Sequence, residues 1–237
     1  MRDDDQESST VKLYTAAQVR EAERPLLDAG EPLMMRAAEA LAVVVSEELE
    51  RGPVPARVLV LAGSGNNGGD ALFAVARLGR RHAIDVLPVG TAVHEAGLAA
   101  AVAGGAHVID AAEAEDAEYD LVLDGVLGTG TTGAPTLRGI VRGVVEQLLP
   151  AVESGRTKVV AVDLPSGLHP DEGTTADGLV LPATVTVTFG GVKAGLTRGD
   201  GPRLAGRVVL VDIGLGERLA AIEPVGEASI DRIVTRT

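Results

Sequence analysis

Short apolar runs rich in Val, Leu and Ile alternate along this chain with stretches whose apolar residues recur at helical spacing. Thr15, Ala16, Ala17 and Gln18 form a capping-box pattern, with Thr15 as N-cap and Gln18 reaching back. A helix is therefore predicted over 15–28, ended by Gly30. Pro32 suits the start of a second helix, which carries Leu33, Met34, Ala37, Ala38, Leu41 and Val45 on one face. Both helices are expected to cover a core, and the Gly-Pro-Val-Pro run at 52–55 then breaks the chain. From Arg57 onward strand and helix alternate. Strands are predicted at 58–62, 84–89, 107–109, 121–123, 159–162, 185–189 and 208–211, and helices at 71–81, 94–103 and 137–149. This alternation predicts an α/β fold: a three-layer αβα sandwich, its mostly parallel sheet flanked by helices on both faces. Ligands in such sheets bind beyond the carboxyl ends of the strands.

The 237 residues suit one α/β domain. Hydrophobic residues make up 46% of the chain but aromatics only 2%, so aliphatic side chains must fill the core. The chain has no cysteine, which excludes disulfides, thiolate metal sites and a cysteine nucleophile, and suits a cytoplasmic enzyme. A net charge of −13 argues against a broad nucleic-acid-binding surface. No run approaches the ~18 apolar residues of a membrane span. The acidic, polar start is the opposite of a signal peptide. Residues 1–10 are expected to be a disordered lead-in, 11–216 a single domain, and 217–237 a tail or linker. Glu113 to Glu118 reads as a solvated acidic stretch.

The chemistry concentrates in three loops at strand ends. Gly63, Ser64, Gly65, Asn66, Asn67, Gly68, Gly69 and Asp70 join the first strand of the alternating region to its helix. Glycines there permit close approach of a ligand, and unpaired amides at a helix start suit a phosphate. Gly63, Gly65 and Gly68 also satisfy G-x-G-x-x-G. However, the next strand ends in Gly90, Thr91 and Ala92, without the ribose-binding acid of a dinucleotide dehydrogenase, and Asp85 lies at the wrong end of it. The second loop runs from Asp124 to Gly133, rich in Gly and Thr, another phosphate-friendly nest. The third is Asp163, Leu164, Pro165, Ser166, Gly167 and Leu168.

GSGNNGGD at 63–70, DGVLGTGTTG at 124–133 and VDLPSGL at 162–168, in that order, resemble the signatures of the NAD(P)H-hydrate epimerases. The T-V-T-F at 186–189 with Lys193, Gly195 and Leu196, and the closing Asp212, Ile213 and Gly214, resemble later segments of that family. So does MMRAA at 34–38, with departures. The resemblance spans about 12–216. It implies a Rossmann-like fold, a homodimer and one bound potassium ion (K+). It also implies an isomerase that interconverts the R and S forms of hydrated NADH or NADPH at C6 of the nicotinamide ring. An S-specific, ATP- or ADP-dependent dehydratase then restores the cofactor. On matching positions, Asn66, Asn67, Gly68, Gly69 and Asp70 would line the substrate. Gly128, Thr129, Gly130, Thr131, Thr132, Gly133 and Ala134 would wrap its phosphates, and Asp163 would sit beside the hydrated ring. Asn67, Asp124 and Ser166 would hold potassium, and their oxygens are hard donors suited to a hard cation. Ala71 stands where the family has Gly and could narrow the pocket by a methyl. Arg36 and Ala38 replace the second helix's Glu and Gly.

Epimerisation at C6 needs a group that gives and takes a proton, and Asp163 is expected to be that group. Asp70 is held in reserve, with a plainer reading as an acid at a helix start. Ser166 lacks the G-x-S-x-G elbow of a hydrolase, and His82, His94, His107 and His169 lack zinc spacing. Lys193 and Arg198 are plausible phosphate partners. The alternative from another class is a non-catalytic nucleotide-binding or scaffold module of the same fold. The intact acidic loops argue against it.

Overall fold

A computed structural model of the chain describes residues 9–115, 117–130 and 135–235. It begins with β1 (Ser9–Tyr14), α1 (Ala16–Asp28) and α2 (Leu33–Glu50). The predicted capping box is present: Thr15 Oγ1 accepts from the Gln18 N–H at 3.2 Å, and Gln18 Oε1 from the Thr15 N–H at 2.8 Å. β2 (Arg57–Ala62) leads into α3 (Asn66–Val75), β3 (Ala83–Pro88) into α4 (Glu95–Gly104), and β4 (His107–Val108) into α5 (Ala111–Glu115). β5 (Leu121–Gly125) leads to α6 (Ile140–Glu153), then β6 (Lys158–Val162), β7 (Val185–Phe189) and β8 (Val192–Lys193). The chain continues through α7 (Gly201–Leu204), β9 (Arg207–Val211), α8 (Gly216–Ala220), β10 (Gly226–Ile230) and β11 (Arg232–Val234).

Eight strands in the order β11-β9-β7-β6-β5-β2-β3-β4 form one sheet, and every described pair in it is parallel. Its central strands β2, β5 and β6 are mostly aliphatic and buried because both faces are covered. Alternate side chains separate cleanly. Val58, Val60, Leu121, Leu123, Val160 and Val162 pack with α2 and α3, whereas Leu59, Leu61, Val122, Val159 and Ala161 pack with Val141, Val144, Val145 and Leu148 of α6. This is the Rossmann-like three-layer architecture expected from the sequence. From β2 the chain winds outward through β3 and β4, then returns to β5 on the other side. The loops after β2 and β5 therefore part at a topological switch point, which opens a crevice at the carboxyl edge of the sheet. Among the described residues no helix is long and apolar enough to cross a membrane.

Three expectations are revised. Ser9 and Thr10, assigned to the lead-in, pair with Ile230 and Ser229 in a second sheet of order β10-β1-β8. The segment after Gly216, read as a tail or linker, forms α8, β10 and β11. β11 extends the main sheet alongside β9, so its backbone polar groups are paired rather than left to solvent. The helix expected at 71–81 instead starts at Asn66, inside the glycine loop, and ends at Val75, before a short 3₁₀ turn at Gly79–Arg81. Two glycines in a first helical turn run against propensity. Tertiary contact overrides it: a Cβ on Gly68 would stand 2.1 Å from the Gly63 carbonyl oxygen.

Candidate active site

The first two loops meet backbone to backbone. The Gly63 N–H donates to the Gly125 carbonyl at 3.1 Å, and a Cβ on Gly63 would lie 2.0 Å from the Val126 oxygen. Gly63 and Gly68 are thus absolute packing requirements of the crevice floor, a different use from the ligand approach that the sequence suggested. Gly69 faces Met34 and His94. Ala71 is fully buried, and its Cβ lies 3.0 Å from where a Cβ on Gly125 would be, so its methyl packs inside and does not narrow the cleft. Gly65, which precedes α3 with no side-chain cap, has open space around it, and Asn66 opens the helix there.

Asn67, Asp124 and Ser166, far apart in sequence, converge through Leu127. Ser166 Oγ donates to Asp124 Oδ1 at 2.6 Å and accepts from the Leu127 N–H at 2.9 Å. The Leu127 carbonyl accepts from Asn67 Nδ2 at 3.2 Å, and the same amide reaches the Val162 carbonyl at 2.5 Å. The Ser166 N–H donates to Asp124 Oδ2 at 2.8 Å. Burial raises the Asp124 carboxyl, while its hydrogen bonds from Ser166 and Val126 pull it back down. Among the described residues no group of three His, Cys, Asp or Glu side chains is placed to hold a metal ion. This cluster, with one carboxylate, one hydroxyl and an amide whose nitrogen faces the Leu127 and Val162 carbonyls, does not suit zinc or a multivalent cage.

Asp163 follows β6 with φ 67°, and it is the one described non-glycine residue in the left-handed region. Such a conformation costs about 1 kcal/mol or more and persists where surroundings hold it. Here Asp163 N–H donates to the Val187 carbonyl at 2.8 Å. Asp163 Oδ1 accepts from Thr188 Oγ1 at 3.0 Å, from the Phe189 N–H at 3.3 Å and from Lys193 Nζ at 2.5 Å. Lys193 also donates to the Phe189 carbonyl at 2.9 Å. The sequence reading of Lys193 as a phosphate partner is thereby corrected: it is buried and committed to a carboxylate. Arg198 is likewise turned away, donating to the Val225 carbonyl. Asp70 lies in the same cavity, as does Glu23 of α1, a residue that no sequence motif singled out. Burial, together with the Asp163 charge, raises Glu23, and Lys193 and Arg20 oppose the rise.

Two spaces open here. A cleft of about 830 Å³ runs over Asn66, Asn67, Gly128, Thr129 and Gly130, with Arg20, Arg24 and Arg138 at its walls. A smaller cavity of about 180 Å³ holds Asp70, Asp163 and Lys193, and shares Glu23, Leu27, Asn66, Asn67 and Thr129 with the cleft. Arg20 reaches across to the Thr129 carbonyl, tying α1 over the second loop. Gly68 and Gly69 line neither space. Thr131, Thr132, Gly133 and Ala134 lie outside the described residues. Three of the four histidines serve local structure: His94 Nδ1 caps α4 by accepting from the Gly97 N–H, and His82 and His169 accept from loop amides.

A cleft at the switch point of a parallel sheet, with a buried carboxylate–ammonium pair in the cavity that adjoins it, defines a Rossmann-like enzyme domain for a small-molecule ligand. Residues 30–195 match the family described as YjeF-related protein N-terminus, and the chain belongs to that family. It is 52% identical over 224 residues to the NAD(P)H-hydrate epimerase of Microbacterium testaceum (strain StLB037), covering 93% of this chain and 86% of that protein. It is 50% identical over 211 residues to the NAD(P)H-hydrate epimerase of Clavibacter michiganensis subsp. michiganensis (strain NCPPB 382), covering 85% and 90%. The bifunctional NAD(P)H-hydrate repair enzyme Nnr of Mycobacterium tuberculosis (strain CDC 1551 / Oshkosh) is 41% identical over 210 residues, covering 85% of this chain and 41% of that one.

Proposed function

We propose that this chain is an NAD(P)H-hydrate epimerase, an isomerase that interconverts R and S hydrated NADH or NADPH at C6 of the nicotinamide ring. The observation that carries the reading is the Asp163–Lys193 pair, set in a small cavity that opens from a cleft large enough for the nucleotide body. Family membership and the named relatives support the same reaction. In this reading the hydrated ring enters the small cavity beside Asp163. The phosphates lie in the cleft along Gly128, Thr129 and Gly130. Asn66 and Asn67 hold the substrate between the two spaces. Asp163 exchanges a proton with the C6 centre, and Lys193 orients its carboxylate and stabilises the charge.

Asn67, Asp124 and Ser166 would hold potassium: the Asp124 carboxylate and the Ser166 hydroxyl, 2.6 Å apart, are hard donors suited to a hard monovalent ion, and the Asn67 amide, whose nitrogen faces the Leu127 and Val162 carbonyls, would turn to offer its oxygen. When bound, that ion supplies a fixed positive charge that organises the second and third loops. A homodimer in the cytoplasm, coupled to an ATP- or ADP-dependent dehydratase that consumes the S epimer, completes the proposal. The bifunctional relatives are in keeping with that coupling.

The test is epimer exchange. Purified R hydrate of NADPH is incubated with the protein in potassium, and both epimers are followed by chromatography. Acceleration toward the R/S ratio of the slow spontaneous reaction is expected. Asp163→Asn should retain substrate binding and lose about 100-fold or more in turnover. A folded, ligand-binding protein that does not accelerate exchange overturns the epimerase reading in favour of a binding module.

A further inference from the structure

Asp70 and Asp163 share one cavity, yet their surroundings are opposite. Asp163 is saturated on Oδ1 by a hydroxyl, an amide and an ammonium. Asp70 is only 5% exposed, and its Oδ1 has no hydrogen-bond partner. An ionised carboxylate in that state is far costlier than a neutral carboxyl. The groups facing Asp70 are Glu23 from α1, Asp163 from the loop after β6 and Lys193 from β8, with the apolar Leu33, Met34 and Ala37 of α2 closing the wall. Burial, then the Asp163 and Glu23 charges, push the Asp70 carboxyl well above the ordinary carboxylate range, and Lys193 opposes them. Two carboxyls in one cavity, one held by three donors and the other without a partner on Oδ1, are placed to divide base and acid roles between them.

We infer that Asp70 is the acid of this site, a neutral carboxyl that protonates the ring nitrogen while Asp163 takes the proton of the C6 hydroxyl. The inference rests on the epimerase reading and specifies its chemistry. C6 of the hydrate bears both a hydroxyl and N1. As Asp163 removes the hydroxyl proton, C6 becomes a carbonyl and the C6–N1 bond breaks. Its electron pair remains on N1, which receives the Asp70 proton. The formyl group turns about the C5–C6 bond, and reversal closes the ring on its other face and returns both protons. Water neither enters nor leaves, and no redox partner is needed.

Asp70→Asn keeps the side-chain shape and removes the acid. Its exchange rate should fall about 100-fold or more at saturating substrate with KM little changed, and the alkaline limb of the wild-type pH–kcat profile should vanish. Wild-type minus Asp70→Asn infrared difference spectra at neutral pH should contain the carbonyl stretch of a neutral carboxyl, a readout independent of turnover. In ¹⁸O-water, epimerised product should retain its original C6 oxygen. Turnover of the folded variant within about fivefold of wild type, absence of the neutral-carboxyl band, or one ¹⁸O gained per epimerisation each overturns the inference. If wild-type protein itself fails to exchange epimers, the epimerase reading fails instead.

Discussion

Replacing Lys193 with methionine keeps the apolar stem and removes the ammonium 2.5 Å from Asp163 Oδ1. Both residues are buried, at 2% and 6% exposure, so bulk water screens the remaining carboxylate only from the side of the cavity. Breaking one side of such a pair costs about 3–5 kcal/mol, mostly as the penalty of a buried charge left alone. A chain of 237 residues unfolds with an entropy near 0.5 kcal/mol/K, at ~2.1 cal/mol/K per residue. The expected fall in Tm is therefore about 6–10 °C. Calorimetry of wild type, Lys193→Met, Asp163→Asn and the double variant closes a cycle. The double variant should be more stable than Lys193→Met alone, because a neutral amide at 163 needs no counter-charge. A Lys193→Met melt within about 2 °C of wild type, or fully additive variants, would refute the reasoning.

Gly68→Ala places a methyl 2.1 Å from the Gly63 carbonyl oxygen, where only backbone can yield, and should cost at least about 1–3 kcal/mol. Gly65→Ala, with open space at that position, should change the urea midpoint far less, and equal effects would contradict the packing role. Ser166→Ala removes a donor to Asp124 and the acceptor of the Leu127 amide, for a loss of about 1–3 kcal/mol. If the potassium reading is right, Ser166→Ala also shifts the activating potassium concentration upward, as a titration against choline would reveal. Because folding raises the Asp70 carboxyl, its stabilising contribution is complete below the unfolded value of about 4 and is lost as pH climbs toward the folded value. Asp70→Asn should thus gain stability relative to wild type as pH rises above about 4. A difference that stays flat from pH 4 to 8 would show that Asp70 is not raised.

The sequence by itself determined those features whose causes are local. Thr15 and Gln18 lie three residues apart and cap the same helix turn, so the start of α1 was legible from four letters. Strands β2, β5 and β6 carry continuous aliphatic runs because a parallel sheet buries both faces, and that composition survives in one dimension. The three loops at the carboxyl edge followed from the strand ends. The small sheet was less visible, since β1 and β10 alternate between half-buried and exposed side chains and resemble polar termini until they pair. α3 began inside the glycine run because Gly68 packs on Gly63, a contact that no propensity encodes.

The tertiary structure alone decided the roles of the charged residues. Lys193 and Asp163 are thirty positions apart, and only the adjacency of β6 and β7 lets the ammonium close on the carboxylate. Glu23 is part of no motif, yet it faces Asp70 across the cavity. Whether a carboxyl is an acid, a base or a ligand depends on the desolvation and charges around it. Those fields fall off with distance in space, not along the chain.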